Sequence, residues 1–254
     1  MYYEINKVQF YYETIGEGIP ILFLNGFAND FSIMKKNFEP FFKSDANWQR
    51  IYVDHPGVGK TKLSGTIDIE ELLEGIKSFV QSVTREKEFL IVGASFGGFV
   101  ARYLVDVFKE RVNGLFLLYP LISHKFSEAT IEKDVTDRIN IVTTNQETEN
   151  EIQEEAKEAM QNTDFLFLEN LMKQAQEFDL EIGDSFYNKP VCILTGRQDA
   201  SVGYKDAFSL IEYFPKATFC VLDNASHNLH VEQKELFSIF VENWLRRVAD
   251  LEVK

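Results

Sequence analysis

Cysteine is scarce in this chain of 254 residues: there are two, Cys192 and Cys220, each inside an apolar, strand-like run. Neither has Cys or His neighbours at the spacing of a metal or redox site, so we expect reduced, buried thiols and no metal, with a disulfide between them as the alternative. No apolar run reaches the roughly 18 residues needed to cross a bilayer. The first residues also lack the basic-then-apolar pattern of a signal peptide, so we expect a cytoplasmic protein.

Basic residues are also few relative to acidic ones. Lysine and arginine number 26 against 40 acidic residues, which gives a formal net charge of −14. Because phosphate backbones are bound by clustered basic side chains, and the sequence has no such cluster, we expect neither nucleic acid nor a membrane surface as a partner. The imbalance is concentrated in residues 123–188, where 16 acidic residues stand against 5 basic ones. That shift marks a distinct region.

Apolar strand-like runs alternate with amphipathic stretches along most of the chain, which predicts an α/β fold with a mainly parallel sheet and helices on both faces. Asp68 and Glu71 have the spacing of a capping box at the start of one helix. The acidic region interrupts the alternation without an obvious strand. We therefore predict a core of residues 1–122 and 189–254, with a helical cap inserted at 123–188 in the same domain. Buried strands are predicted at 19–24, 48–53, 88–92, 112–118, 191–195 and 218–222.

The segment Gly93-Ala-Ser-Phe-Gly97 directly follows a buried strand and precedes an amphipathic helix. A serine in so sharp a turn is held with its hydroxyl clear of the sheet, and glycines two residues away remove Cβ atoms that would clash. A G-x-S-x-G pattern alone is equally well explained by an ordinary glycine-rich turn. The flanking strand and helix favour Ser95 as a nucleophile.

A serine hydroxyl needs a base to take its proton, and histidine titrates close enough to neutral pH to do so. His227 lies in the loop after the last predicted strand, where it could meet Ser95, and we predict it to be the base. The alternatives are weaker. His230 is expected to pack or cap in the final helix, and His55 and His124 are expected at the surface or at the pocket mouth.

The imidazole in turn needs a carboxylate on its second nitrogen. Asp199 follows a buried strand and completes the chain order serine, aspartate, histidine, so we predict it to be that carboxylate. Asp223 competes because it is close to His227 in sequence, although a turn explains it more simply. Glu232 is expected in the first turn of the last helix, where its charge suits the helix dipole.

Acyl transfer further requires backbone N–H donors for the developing oxyanion. The predicted donors are the N–H groups of Phe96, directly after the nucleophile, and of Phe27, in the turn after an earlier strand. The stretch Gly57-Val-Gly-Lys-Thr61 superficially resembles a phosphate-binding loop, but Asp54 stands where the first glycine is required and Pro56 lacks an N–H. We interpret it as a structural turn and predict no cofactor.

Five motifs, in order along the chain, resemble the α/β-hydrolase superfamily. The resemblance implies an α/β-hydrolase fold with a central eight-stranded sheet, a cap after the sixth strand, and a catalytic triad of Ser95, Asp199 and His227. Serine at position 95 disfavours the dehalogenases and epoxide hydrolases of the superfamily, which use aspartate there. The motifs are Asn25-Gly-Phe27, Asp54-His-Pro-Gly-Val-Gly59, Gly93-Ala-Ser-Phe-Gly-Gly98, Gly196-Arg-Gln-Asp199 and Ser226-His-Asn-Leu-His-Val-Glu232.

Two positions depart from the pattern of the superfamily. Asn25 replaces the usual histidine before the oxyanion-loop glycine, and Ser226 replaces the usual glycine before the catalytic histidine. Neither change removes a reacting group. Asn25 would support the loop rather than donate to the oxyanion, so it bears on the strength of the oxyanion hole.

The leading functional hypothesis is hydrolysis of a small carboxylic ester or thioester through an acyl-enzyme, with a small molecule as the partner. An aminopeptidase or amidase is the second, because a cap carboxylate could hold a substrate amino group, although a solvated acidic face explains the charge more simply. A binding or sensor protein is the third. Cap aromatic residues could line an acyl pocket or simply pack between helices: Phe165, Phe167, Phe178, Phe186 and Tyr187.

Overall fold

The strands pair into one sheet in the computed structural model, which describes residues 1–42, 47–122, 145–178, 180 and 186–252. The strands are β1 (Tyr2–Ile5), β2 (Val8–Ile15), β3 (Ile19–Leu24), β4 (Trp48–Val53), β5 (Lys62–Leu63), β6 (Phe89–Ala94), β7 (Val112–Leu118), β8 (Val191–Gly196) and β9 (Ala217–Leu222). Their order across the sheet is β1-β2-β4-β3-β6-β7-β8-β9, and the two-residue β5 pairs with β2. β2 runs antiparallel to its neighbours, and every pairing from β4 to β9 is parallel.

This sheet confirms the predicted α/β-hydrolase fold with a mainly parallel sheet. The continuous path has the eight strands that the resemblance implies, and β5 is an addition to it. The side chains of β6, β7 and β8 are buried along their whole length because helices cover both faces of the sheet. Parallel strands bring their carboxyl ends to one edge, so the loops after β3, β6, β8 and β9 emerge together.

Eight α-helices lie among the described residues, and none of them is both long and apolar enough to cross a membrane. The predicted capping box is present at the start of α2: Asp68 accepts from the Glu71 N–H at 2.8 Å, and Glu71 accepts from the Asp68 N–H at 3.2 Å. The helices are α1 (Ser32–Phe38), α2 (Ile69–Thr84), α3 (Phe96–Val107), α4 (Gln146–Ala159), α5 (Phe165–Glu177), α6 (Tyr204–Phe208), α7 (Leu229–Glu232) and α8 (Lys234–Glu252).

Helices α4 and α5 are the described part of the predicted cap; residues 123–144, 179 and 181–185 of that region, including His124, lie outside the described residues. Backbone hydrogen bonds join this part to the core. The Asp30 N–H donates to the Ala159 carbonyl at 3.0 Å, and the Asp164 N–H donates to the Gly57 carbonyl at 2.8 Å. These two bonds fix both ends of the segment between α4 and α5 to core loops.

The two cysteines occupy adjacent strands, β8 and β9, and both are free thiols. Cys192 is buried as expected, and burial raises the pKa of its thiol to about 12. Cys220 is only partly buried, which differs from the prediction. The difference arises because β9 is the last strand of the sheet and its side chains are covered less completely.

Asp54 organises the loop after β4, which borders the site. Its carboxylate accepts from the N–H groups of Phe31 at 3.0 Å and Lys60 at 2.9 Å, and so connects this loop to the start of α1. The stretch 57–61 forms the structural turn that we predicted, with Gly57 and Gly59 at positive φ. Burial raises the pKa of Asp54 to about 6, against the opposing effect of the two N–H donors.

The raised pKa of Asp54 predicts a pH-dependent contribution to stability. A carboxyl with a higher pKa in the folded state than in the unfolded chain stabilises the fold at low pH and loses that contribution as the pH rises through its folded pKa. Relative to an Asp54→Asn variant, the wild-type protein should therefore lose about 1 kcal/mol of unfolding free energy between pH 5 and pH 7.5. Urea unfolding of both proteins at the two pH values measures this difference, and a wild-type advantage that grows with pH would contradict it.

Candidate active site

Ser95 occupies the turn between β6 and α3 in a strained backbone conformation, with φ 50° and ψ −116°. Few residues other than glycine adopt a positive φ. Hydrogen bonds hold the turn: the Ser95 N–H donates to the Leu118 carbonyl at 3.0 Å, and the Ser95 carbonyl accepts from the N–H groups of Gly98 and Leu121, both at 2.9 Å. Ser95 therefore lies in a sharp strand-to-helix turn, the position that the sequence predicted.

The neighbouring glycines have no space for a side chain. A Cβ on Gly97 would overlap the carbonyl oxygens of Leu24 and Asn25, and one on Gly93 would lie 2.5 Å from the Gly97 carbonyl oxygen. The turn after β3 is also adjacent to the serine, because a Cβ on Gly26 would lie 3.4 Å from the Ser95 Cβ. Close backbone contact thus places the β3 turn directly beside the serine.

His227 and Asp199 are hydrogen-bonded to each other, with 2.8 Å between Nδ1 and Oδ2. The Asp199 side chain is 1% exposed, and its other oxygen accepts from the N–H groups of Ser201 at 2.8 Å and Val202 at 3.0 Å. With a carboxylate oxygen as the acceptor, Nδ1 of His227 is the donor of this hydrogen bond, and Nε2 is the ring nitrogen that remains to accept a proton. The bond joins two residues that are 28 positions apart in sequence.

Glu232 holds the loop that carries His227. Its carboxylate accepts from the N–H and the hydroxyl of Ser226, both at 2.6 Å. The prediction that Glu232 lies in the first turn of the last helix is wrong, because the chain breaks into a separate short helix, α7, and Glu232 ends it. The departure to serine at position 226 supplies the hydroxyl that Glu232 binds.

The other residues that we considered as base or acid make different contacts. Asp223 is exposed and accepts from the Gln198 amide at 2.8 Å. His230 is buried in α7 and pairs with Glu155, in agreement with its predicted packing role. His55 was expected at the surface or at the pocket mouth, and the surface position is wrong: it is 3% exposed, and its Nε2 lies 3.1 Å from the Gly26 carbonyl oxygen. Burial lowers the pKa of His55, so a neutral imidazole supports the Gly26 turn.

Ser95 and His227 line the same cavity, which has a volume of about 80 Å³. Gly26 and Asn25 of the β3 turn lie beside them. The Asn25 amide nitrogen donates to the Asn29 carbonyl, whereas its Oδ1 is buried and has no partner among the described residues. The cavity is completed by ten further residues: Asn29, Ile33, Met34, Ala94, Tyr119, Ile152, Glu155, Ala156, Asn228 and His230.

The two predicted oxyanion donors belong to segments that flank this cavity. Phe96 is the first residue of α3, and its buried ring packs against His55 with 5.3 Å between ring centroids. The N–H groups at the start of a helix have no intrahelical acceptor, which leaves them free for a ligand. Phe27 follows Gly26, and its half-buried ring packs against a small cluster that includes Val58 and Leu168. The N–H groups of Phe27 and Phe96 remain the predicted donors.

Among the described residues, the predicted cap region contributes to the cavity through α4 and not through the aromatic residues that we considered. Phe165 and Phe186 are exposed, Tyr187 donates to the Val112 carbonyl at 3.0 Å, and none of the five aromatic candidates lines the cavity. Phe167 and Phe178 are partly buried and pack against the core, which is the alternative role that we gave them. The cap residues at the cavity are Ile152, Glu155 and Ala156.

Glu155 and Tyr119 were not identified from the sequence. Glu155 lies on the face of α4 that also carries Ile152, Ala156 and Ala159, so a carboxylate on an otherwise apolar helical stripe was the available signal. Tyr119, at the end of β7, places its ring 4.3 Å from that of His227. No pattern in the sequence indicates this second contact.

Comparison with known proteins agrees with the geometry. The model of the family described as alpha/beta hydrolase fold matches residues 19–138. A Mycoplasma pneumoniae protein named "Putative esterase/lipase 2" is 23% identical over 247 residues, which cover 89% of each chain. An alpha/beta superfamily hydrolase from Oenococcus oeni PSU-1 superposes with a TM-score of 0.80 at 22% identity, over 98% of this chain and 99% of that one.

A third comparison is with a thermophilic esterase from Thermogutta terrifontis, which superposes with a TM-score of 0.71 at 20% identity over 98% of this chain and 99% of that one. Together with the family match, these superpositions extend over nearly the whole chain. The protein is therefore an α/β-hydrolase-fold protein, as the five sequence motifs predicted.

The close contacts around Ser95 predict opposite effects for the same substitution at two glycines. Gly97→Ala should cost about 1–3 kcal/mol of unfolding free energy, because the new Cβ would overlap backbone oxygens. Gly75→Ala, in the middle of α2, meets Phe10 at an ordinary 3.5 Å and should gain about 0.5–1 kcal/mol from the helix preference of alanine. Urea denaturation measures both; equal effects would show that Gly97 is not constrained by close approach.

Proposed function

We propose that this protein hydrolyses small carboxylic esters or thioesters through a covalent acyl-enzyme. The observation that carries the proposal is the hydrogen bond between His227 and the buried Asp199, together with the position of His227 on the same cavity as Ser95. A free Nε2 on the imidazole is what a serine hydroxyl needs in order to lose its proton. The esterase names of the relative in M. pneumoniae and the protein in T. terrifontis support the same chemistry.

In the proposed first step, Ser95 Oγ attacks the carbonyl carbon while His227 takes the hydroxyl proton. The tetrahedral intermediate collapses as His227 passes that proton to the leaving alcohol or thiol. Water then enters, gives its proton to His227 and attacks the acyl-enzyme, and the acid is released with Ser95 restored. The buried Asp199 carboxylate stabilises the imidazolium that exists between these transfers, and its two backbone donors hold it in place.

The carbonyl oxygen gains negative charge in both steps. We assign its stabilisation to the N–H groups of Phe96 and Phe27, because the first lies at the start of α3 and the second is in the turn beside Ser95. Asn25 and the buried His55 support that turn, through Asn29 and Gly26 respectively.

The first functional prediction concerns Ser95. The Ser95→Ala variant should lose at least about a thousandfold in kcat towards p-nitrophenyl acetate, because no acyl-enzyme can form. A fluorophosphonate probe should add one covalent label to the wild-type protein, detected by mass spectrometry, and none to the variant. Wild-type activity in Ser95→Ala would refute the nucleophile assignment. An unlabelled, inactive but folded wild-type protein would instead favour the binding or sensor role.

Asp199 and Asp223 offer a matched pair for testing which carboxylate orients His227. Asp199→Asn should lower kcat by about 10⁴, because an amide cannot stabilise the imidazolium and favours the wrong tautomer. Asp223→Asn should keep kcat within about twofold, since Asp223 is exposed and binds Gln198 instead. Steady-state kinetics of both variants, with circular dichroism as a check of folding, decide between the two residues. The reverse ranking would reassign the acid.

A further inference from the structure

A buried group of charged and polar side chains contributes to the wall of the cavity that Ser95 also lines. Glu155 of α4 is at its centre, with a side chain only 5% exposed. One carboxylate oxygen accepts from Lys36 at 3.0 Å and Asn37 at 3.2 Å, and the other lies 3.3 Å from Nε2 of His230. The proposed hydrolytic mechanism uses none of these residues.

Glu155 carries its charge at neutral pH. Burial opposes ionisation, but the hydrogen bond from His230 and the charge of Lys36 outweigh it and lower the pKa of Glu155 to about 2. Lys36 keeps its own charge, because Glu155 and Glu151 raise its pKa against the effect of burial. This part of the wall therefore holds a fixed negative charge that is already balanced by a positive one.

The Glu155 carboxylate has more acceptor sites than hydrogen-bond donors around it. A carboxylate offers about four acceptor sites, and the three donors around Glu155 leave roughly one of them open. Covering an acceptor without giving it a donor is costly, so a ligand that supplies a hydrogen-bond donor to Glu155 would be favoured here.

The size of the cavity limits the ligand. Its volume of about 80 Å³ corresponds to roughly five water positions at about 15 Å³ each. The acyl group is the part of an ester that stays covalently attached to the serine while the alcohol leaves. A short acyl group would therefore be in contact with the residues that line this cavity, whereas a long chain would extend beyond them.

We propose that Glu155 is a specificity-determining residue that makes the cavity select short acyl groups carrying a hydroxyl group. This inference rests on the proposed esterase function and names its substrate class. A plain alkyl chain would cover the open acceptor site of the Glu155 carboxylate without donating a hydrogen bond to it. A substrate ammonium group would meet a carboxylate that Lys36 already neutralises, which weakens the case for an aminopeptidase that the acidic cap first raised.

The test compares kcat/KM for three esters, p-nitrophenyl butyrate, p-nitrophenyl 3-hydroxybutyrate and p-nitrophenyl 3-aminobutyrate, each corrected for spontaneous hydrolysis. Wild-type protein should prefer the hydroxylated ester by about tenfold or more, as expected for a hydrogen bond to a charged acceptor. Glu155→Gln should reduce this preference to about twofold or less. Glu151→Gln is the matched control, because Glu151 lies one turn earlier on α4 and also pairs with Lys36 but does not line the cavity.

The outcomes separate this inference from the function on which it rests. Equal or faster cleavage of the butyrate ester by wild-type protein overturns the hydroxyl preference and leaves the esterase proposal intact. Faster cleavage of the 3-aminobutyrate ester would overturn it in favour of a cationic substrate. Failure to cleave any of the three esters overturns both proposals. An unchanged preference in folded Glu155→Gln overturns the assignment to Glu155, and the wild-type comparison alone can still overturn the hydroxyl preference if that variant does not fold.

Discussion

The strained turn at Ser95 is the constraint on which the rest of the site depends. A non-glycine residue at φ 50° is stable only where its surroundings hold it, and here Leu118, Gly98 and Leu121 bind its backbone. The same turn requires that β3 and α3 approach to backbone contact, which only Gly97 allows. Strain at one residue is thus balanced by hydrogen bonds and packing across three neighbouring elements.

Once that turn is fixed, the topology of the sheet supplies the other groups. The loops after β8 and β9 leave the same edge of the sheet as the turn after β6, so Asp199 and His227 need only short loops to meet. Glu232, Ser201 and Val202 then restrict those loops through hydrogen bonds to their side chains and backbone. Orientation of the imidazole therefore comes from local backbone geometry around a common edge.

The fold and the core of the site could be predicted from the sequence because their signals are local. Apolar runs gave the central strands, Asp68 with Glu71 gave the start of α2, and the order of Ser95, Asp199 and His227 followed from their positions after strands. The burial of His55 could not be predicted, because it depends on the Gly26 turn packing above it. The pairing of Glu155 with Lys36 and His230 joins residues 119 and 75 positions apart, and no spacing rule reaches that far.

Different parts of the fold hold the three predicted catalytic residues and Glu155, and this bears on how substrate preference is set. The serine, histidine and aspartate are positioned by the sheet and its loops, whereas Glu155 lies on α4. This helix is joined to the core by the backbone bond between Asp30 and Ala159 and by the ion pairs of Glu151 and Glu155. Residues on α4 can therefore change without disturbing the backbone around Ser95. The named relatives share the fold at 20–23% identity, so the shared fold leaves the chemistry of the acyl group open. Under our proposal, that chemistry depends on the contacts of Glu155, where α4 meets α1 and α7.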